Sequence, residues 1–293
     1  MSTISHSTVK LFRGSLSHSR RKSLRRILLT LVMFGIGILM ILPFLWMLSA
    51  SLKREIDVFA FPIQWIPEVP QWQNYQRVWA GRLPFYRFYI NSIVVTGSAT
   101  ALLLLTSSLG GYAFAKLNFP FKEPVFLGYL AMMMIPPQVL LIPRFIMFNW
   151  MGWLDTLWVL IIPNAFSAFG TFMLRGFYEG IPKDLSEAAI IDGAGHFRIW
   201  GRIIMPLTRP ALFALMVISV RWRWNDYLQP LIFIRRLTNY TIPIGLDFFV
   251  QEHTAQMSLI MAATVTATLP LLIIFLVAQK YFIRGIVLSG IKG

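Results

Sequence analysis

Polar residues cluster along this chain, and the apolar runs between the clusters are long. A helix needs about 20 apolar residues to cross about 30 Å of hydrocarbon. Residues 27–49, 90–113, 125–143, 156–174 and 258–279 come to about that length with no Lys, Arg, Asp or Glu inside them. A sixth stretch, residues 210–234, is as long but carries Arg221, Arg223 and Asp226, so it is expected to span with a polar task to perform. The first stretch is about twice the length of a signal-peptide core and no small-residue cleavage site follows it, which reads as an anchor. The pattern predicts an all-α membrane protein: a six-helix transmembrane domain over residues 27–293, behind a basic arm at residues 1–26. Pro136, Pro137, Pro163, Pro230 and Pro270 interrupt four spans, where proline often marks kinks lining a cavity.

Composition agrees. Of the 293 residues 56% are hydrophobic and 13% charged, against about 25% charged in soluble domains, so much of the surface must face lipid or another apolar partner. The net charge of +15 invites a nucleic-acid reading until its residues are placed. The arm, residues 114–124, residues 175–209 and the tail from Lys280 hold 17 Lys and Arg, against 8 in the other loops. That asymmetry puts both termini in the cytoplasm and makes the basic excess a matter of topology, with no nucleic-acid partner expected. There is no cysteine, and His6, His18, His196 and His253 are scattered, so no metal site is expected.

The longest cytoplasmic connection, residues 175–209, is patterned like two short helices joined at a glycine. Pro182 suits a first helical turn, with Asp184 and Glu187 near its positive end. Leu185, Ala188, Ala189 and Asp192 recur at i, i+3, i+4 and i+7 and so share one small, apolar face. Asp192-Gly193 supplies a stop and turn. Phe197, Trp200 and Ile204 then form a second apolar stripe, and Pro206 and Pro210 end it. Periodicity alone leaves two readings open: helices lying on the membrane, or a docking element for a cytoplasmic partner.

The spacing Glu187-Ala188-Ala189, three residues, Gly193, nine residues, Ile203, one residue, Met205-Pro206 resembles the EAA signature of importer-type ABC transporter permeases, with Met205 where leucine is usual. Further motifs resemble the carbohydrate-uptake permeases of the maltose-transporter MalG type. They are Tyr89-Ile90-Asn91-Ser92, Gly111-Tyr112-Ala113-Phe114-Ala115-Lys116, Gly152-Trp153-Leu154-Asp155-Thr156-Leu157, Trp224-Asn225-Asp226, and the tail from Arg284-Gly285 to Ile291-Lys292-Gly293. The resemblance runs from about residue 27 to the end. It implies a type I importer permease in the bacterial inner membrane, paired with a second, MalF-like permease, two ATPase subunits and an extracytoplasmic solute-binding protein. It also implies that residues 184–194 form the coupling helix, with Leu185, Glu187, Ala188, Ala189, Asp192, Gly193 and Ala194 at the ATPase, Glu187 and Asp192 fixing the loop, and the part of the cytoplasmic tail (residues 280–293) from Arg284 to Gly293 touching the ATPase as well. The outer loop, residues 50–89, with Phe61-Pro62, Trp65-Ile66-Pro67 and Trp72, would help receive the binding protein or plug the membrane interface; the two are compatible. The chain has no G-x-x-x-x-G-K-S/T phosphate loop, so ATP and Mg are expected on the partner ATPase and no cofactor here.

Where relatives are small or apolar before Trp-Asn-Asp, this chain reads Val220-Arg221-Trp222-Arg223-Trp224-Asn225-Asp226-Tyr227. On a regular helix Arg221, Asn225 and Leu228 share one face and Arg223, Asp226 and Tyr227 another. An arginine at a span centre costs roughly 2.5–3.5 kcal/mol to insert, so these residues should face water, a partner or a ligand. Three readings stay open: Arg223 neutralised by Asp226, Arg223 paired with the other permease, or guanidinium groups holding an anionic solute. Arginine's planar fork suits carboxylates, and Trp222, Trp224 and Tyr227 offer faces for sugar rings, so the expected substrate path is Arg221, Arg223, Trp224, Asn225, Asp226 and Tyr227. An acidic, uronate-type oligosaccharide such as those from alginate or pectin is the expected cargo, with a neutral sugar or glycerol phosphate as the alternative. An ion-coupled secondary transporter or channel is the reading from another class, and an intramembrane enzyme lacks the residues to run on.

Overall fold

The computed structural model describes the backbone of residues 8–289 and the side chains of residues 22–279. Most of the basic arm, and the tail of residues 280–293 within which Arg284 to Gly293 are expected to touch the ATPase, lie outside the described side chains. Among the described residues every regular element is helical, with no strand. The helices are α1 (Thr8–Ser51), α2 (Gln73–Ala80), α3 (Phe85–Lys116), α4 (Lys122–Ala131), α5 (Leu141–Trp150), α6 (Trp158–Ile161), α7 (Ala168–Glu179), α8 (Lys183–Ile191), α9 (His196–Ile199), α10 (Met205–Leu207), α11 (Arg209–Trp224), α12 (Leu228–Phe233), α13 (Ile242–Glu252) and α14 (Met257–Ser289).

Four segments are long and apolar enough to cross a membrane: Lys22–Ser51, Phe85–Lys116, Trp158–Glu179 and Met257–Gln279. Two bent pairs raise the number to six if each counts as one span. The expected single helix over residues 125–143 is one of these, bent by 88°. Its cause is local: Ile135 and Pro136, each preceding a proline, are extended at ψ 116° and 130°, and neither proline can donate an N–H. The other is His196–Leu207 followed by Arg209–Trp224, bent by 81°. The fifth expected span is likewise not one regular helix. α11 ends at Trp224, three residues unwind, and α12 restarts at Leu228 with Pro230 in its first turn.

α3 is the hub. It packs along α7, α11 and α13, while α1 leans on α14 at the edge. Its contact with α7 is close because small residues meet there: a Cβ on Gly170 would come 2.5 Å from Ser107 Oγ, and one on Gly111 3.1 Å from the Arg175 backbone nitrogen. In lipid, where apolar burial gives little drive, such close backbone approach is what holds helices together. At one end of the bundle Val78, Phe85, Phe88, Trp224 and Phe249 form a core. At the other end Tyr112, Leu174, Tyr178, Ile199 and Ile204 form a second, and residues 183–207 sit under it.

Candidate functional site: an elbow and a broken helix

The segment from α8 to α10 is an elbow closed by its own backbone. Gly193 has φ +77°, a conformation that suits glycine. Ala194 N–H donates to Ala189 O at 2.8 Å and Gly193 N–H to Ile190 O at 2.9 Å, the paired bonds of a Schellman termination. The apolar contact that accompanies this motif is present, since Ala189 and Ala194 join the same core. Beyond it, Trp200–Ile204 is a π-helical turn. Its wider repeat sets Ile199 and Ile204, five residues apart, on the inner side.

The elbow is bolted to the bundle by polar contacts. Trp200 Nε1 donates to Ser108 Oγ at 2.8 Å, and Ser108 shares a 2.7 Å hydrogen bond with the Tyr178 hydroxyl. His196 Nδ1 and the Tyr112 hydroxyl are 3.2 Å apart, and Lys116 Nζ donates to Ile181 O at 2.6 Å. Nearby, Arg175 bridges Glu123 and Glu179 at 2.7 Å each while lying over the Phe126 ring. The free side of the elbow mixes apolar and charged groups: Leu185, Ile190, Ile191 and Phe197 are exposed, Ile191 at 85%, beside exposed Lys183, Asp184, Glu187, Asp192 and Arg198.

At the break after α11, Arg223 does not pair with Asp226. Its guanidinium donates to Asn164 Oδ1 at 2.7 Å and to Asn164 O at 3.2 Å. Asn164 sits in the 3-10 turn Pro163–Ala165 between α6 and α7. Asp226 Oδ1 instead accepts from Gln229 N–H at 3.3 Å, closing the start of α12, and Arg144 of α5 lies in electrostatic reach of both Asp226 and Arg223. Arg221 differs. It is exposed and makes no side-chain hydrogen bond or ion pair with another described residue. Beside it Asn225 Nδ2 folds back onto Arg221 O at 2.9 Å, and the Tyr227 hydroxyl donates to Asp247 at 3.1 Å.

Residues 107–287 match the family model described as a binding-protein-dependent transport system inner membrane component. This chain belongs to that family. Among curated relatives it is 32% identical to the arabinooligosaccharides transport system permease protein of Bacillus subtilis, over 95% of this chain and 100% of that one. It is 30% identical to the sulfoquinovosyl glycerol transport system permease protein of Agrobacterium fabrum, over 86% of this chain and 88% of the relative. Its fold matches, at TM-score 0.76 and 23% identity over 96% of this chain and 100% of the other, a structure of a bacterial ABC transporter involved in the import of the acidic polysaccharide alginate. The chain is thus a membrane-embedded, non-catalytic ABC permease subunit with the type I importer fold.

Within this permease the expected elbow residues lie together but do not share one face. Leu185, Glu187, Ala188, Asp192 and Gly193 are exposed, Ala194 is half-buried, and Ala189 turns inward. Glu187 and Asp192 make no side-chain hydrogen bond or ion pair with another described residue, so the Schellman closure shapes the loop and those two carboxylates do not. The second stripe also divides: Phe197 points out, and the π turn swings Ile199 in with Ile204. Trp224 corrects an expectation. It is 4% exposed and donates Nε1 to Ala267 O at 3.0 Å, so it is a packing anchor and offers no ring face to a sugar. Sequence reasoning missed Asn164 and Arg144; a polar Asn directly after Pro163 in an apolar run was the available signal for the first.

Proposed function

We propose that this permease forms half of the translocation path of an ABC importer for acidic, uronate-type oligosaccharide, together with a second permease. In this reading two ATPase subunits grip the elbows from the cytoplasm and a solute-binding protein delivers cargo to the opposite end. Closure of the ATPases moves each elbow as a rigid body. Because the elbow is hydrogen-bonded to α3 and α7, the motion reaches the bundle without being absorbed in a loose loop, and the path opens toward the binding protein; hydrolysis reverses it. Both termini lie in the cytoplasm, and residues 184–194 provide the coupling helix.

The observation that carries the acidic substrate is the exposed Arg221 guanidinium at the end of α11, which has no hydrogen-bond or ion-pair partner among the described residues. Carrying a permanent charge there is costly unless an anion meets it. Arg223, committed to Asn164, supports the broken helix, and Asn225 and Tyr227 border the path. A relative named for sulfoquinovosyl glycerol, a sulfonated sugar, supports anionic cargo; one named for arabinooligosaccharides favours a neutral oligosaccharide as the second reading. Substrate-stimulated ATPase activity of the reconstituted complex distinguishes them. Oligouronates should outcompete neutral oligosaccharides of equal length, and Arg221→Ala should remove that preference. Preference for the neutral series overturns the acidic assignment.

A further inference from the structure

Between α1 and α2 the chain folds over a polar cavity of about 380 Å³ lined by Lys53, Arg54, Asp57, Gln64, Glu68 and Gln71, among others. Its charges are unevenly satisfied. Arg54 donates to both oxygens of Asp57, at 2.6 and 3.3 Å. Lys53 is 2% exposed yet makes no side-chain hydrogen bond or ion pair with another described residue. Glu68 is exposed and in electrostatic reach of Arg54, with no hydrogen-bond or ion-pair partner among the described residues. A lysine this deeply buried with no partner for its ammonium among the described residues is expensive unless the ammonium opens onto water or a ligand, and Lys53 lines the cavity. Among the described residues the cavity therefore offers one cation without an ion pair and, beside the Arg54–Asp57 pair, one carboxylate without a hydrogen bond, an arrangement that a zwitterion complements.

The surroundings say which zwitterion. The apolar run of residues 27–49 is about 34 Å long as a helix, and none of the α1 membrane window is buried within the chain. Lys53 follows that run by four residues, at the depth of the headgroup layer, which is about 5–8 Å thick. Around the cavity Phe59, Phe61, Ile66 and Trp72 stand 65–93% exposed. A soluble sugar would leave them in water, whereas aromatic and apolar side chains at this depth belong at the lipid boundary.

We propose that this cavity seats the headgroup of an amine-bearing phospholipid of the outer leaflet: the phosphate on Lys53, the primary ammonium on Glu68, and the acyl chains along α1 and the aromatic rim. The site depends on membrane embedding alone and not on which solute is carried.

The assembled transporter, stripped of lipid and returned to vesicles of phosphatidylglycerol mixed with either phosphatidylethanolamine or phosphatidylcholine, tests this by native mass spectrometry of retained lipid. Phosphatidylethanolamine should be retained about tenfold over phosphatidylcholine, the change carried by one charge-assisted hydrogen bond, because the trimethylated headgroup has no N–H for Glu68. Lys53→Met should abolish retention of both, Lys53→Arg should restore it, and Glu68→Gln should collapse the discrimination while leaving retention. Unchanged selectivity in Lys53→Met overturns the proposal. So does equal competition by soluble phosphoethanolamine, which would make the site one for a free zwitterion. Lipid release on docking of the solute-binding protein would instead assign the cavity to that protein. Failure of oligouronate preference in transport leaves these readouts untouched, so the two readings fail separately.

Discussion

Replacing Gly193 isolates the part of the elbow that the backbone alone supplies. Its φ is +77°, and a Cβ built there meets nothing within 4 Å, so Gly193→Ala adds no clash and acts only through the left-handed conformation. That conformation costs an L-residue roughly 1–2 kcal/mol, which is about 5–30-fold in the equilibrium between the closed and opened elbow. Gly195 is the internal control: it too has open space around its Cβ, but its φ is −73°, so Gly195→Ala should be silent. Asn tolerates the left-handed region better than other residues, placing Gly193→Asn between Gly and Ala, with Gly193→Val the most disruptive. Amide exchange at Ala194, whose N–H closes onto Ala189 O, reads the opening directly. Uptake per ATP hydrolysed in the reconstituted complex reads its consequence. Faster exchange and lower coupling in the order Gly, Asn, Ala, Val is expected. Equal losses in Gly193→Ala and Gly195→Ala would refute the closure as the source of rigidity.

Other substitutions probe the bundle and its opposite end. Arg223→Ala and Asn164→Ala should each destabilise the complex by about 1.5–3 kcal/mol and be markedly non-additive together in thermal unfolding, whereas Arg221→Ala should leave stability unchanged. Gly170→Ala should cost about 1–3 kcal/mol, since its methyl would meet Ser107, and should weaken association of α3 with α7; substitution of the open Gly176 serves as comparison. Asp155 ties the loop after α5 to residues 235–239, accepting from the Arg235 and Arg236 backbones at 3.0 and 2.9 Å and pairing with the Arg236 guanidinium at 2.9 Å. Burial pushes its carboxyl up, but those N–H groups, the guanidinium and Asn239 outweigh it and hold the group below its ordinary value. Its stabilisation is therefore complete above about pH 3.9 and is lost as pH falls through the depressed value; Asp155→Asn should flatten that acid limb of thermal stability.

The helical membrane class was legible because lipid imposes a length rule that few soluble sequences satisfy, and the elbow was legible because Asp192-Gly193 names its own turn. What pattern could not give were the places where backbone departs from a regular repeat. Stepping through Phe197, Trp200 and Ile204 at helical spacing fails once Trp200–Ile204 widens to a π turn. Faces drawn through Asn225, Asp226 and Leu228 fail once α11 stops at Trp224. The partner of Arg223 lay 59 residues away in a proline-broken turn, a distance over which no local periodicity reaches. Prolines 136 and 137 marked a bend but not its 88° size.

In the proposed mechanism the elbow is driven from outside the chain. Proteoliposomes containing both permeases and the binding protein, prepared with and without the ATPase subunits, test it most directly by following labelled oligosaccharide. Accumulation that needs both the ATPases and ATP, and vanishes under an ion gradient alone, is the predicted result. Sustained accumulation by the permeases without ATPases would contradict it.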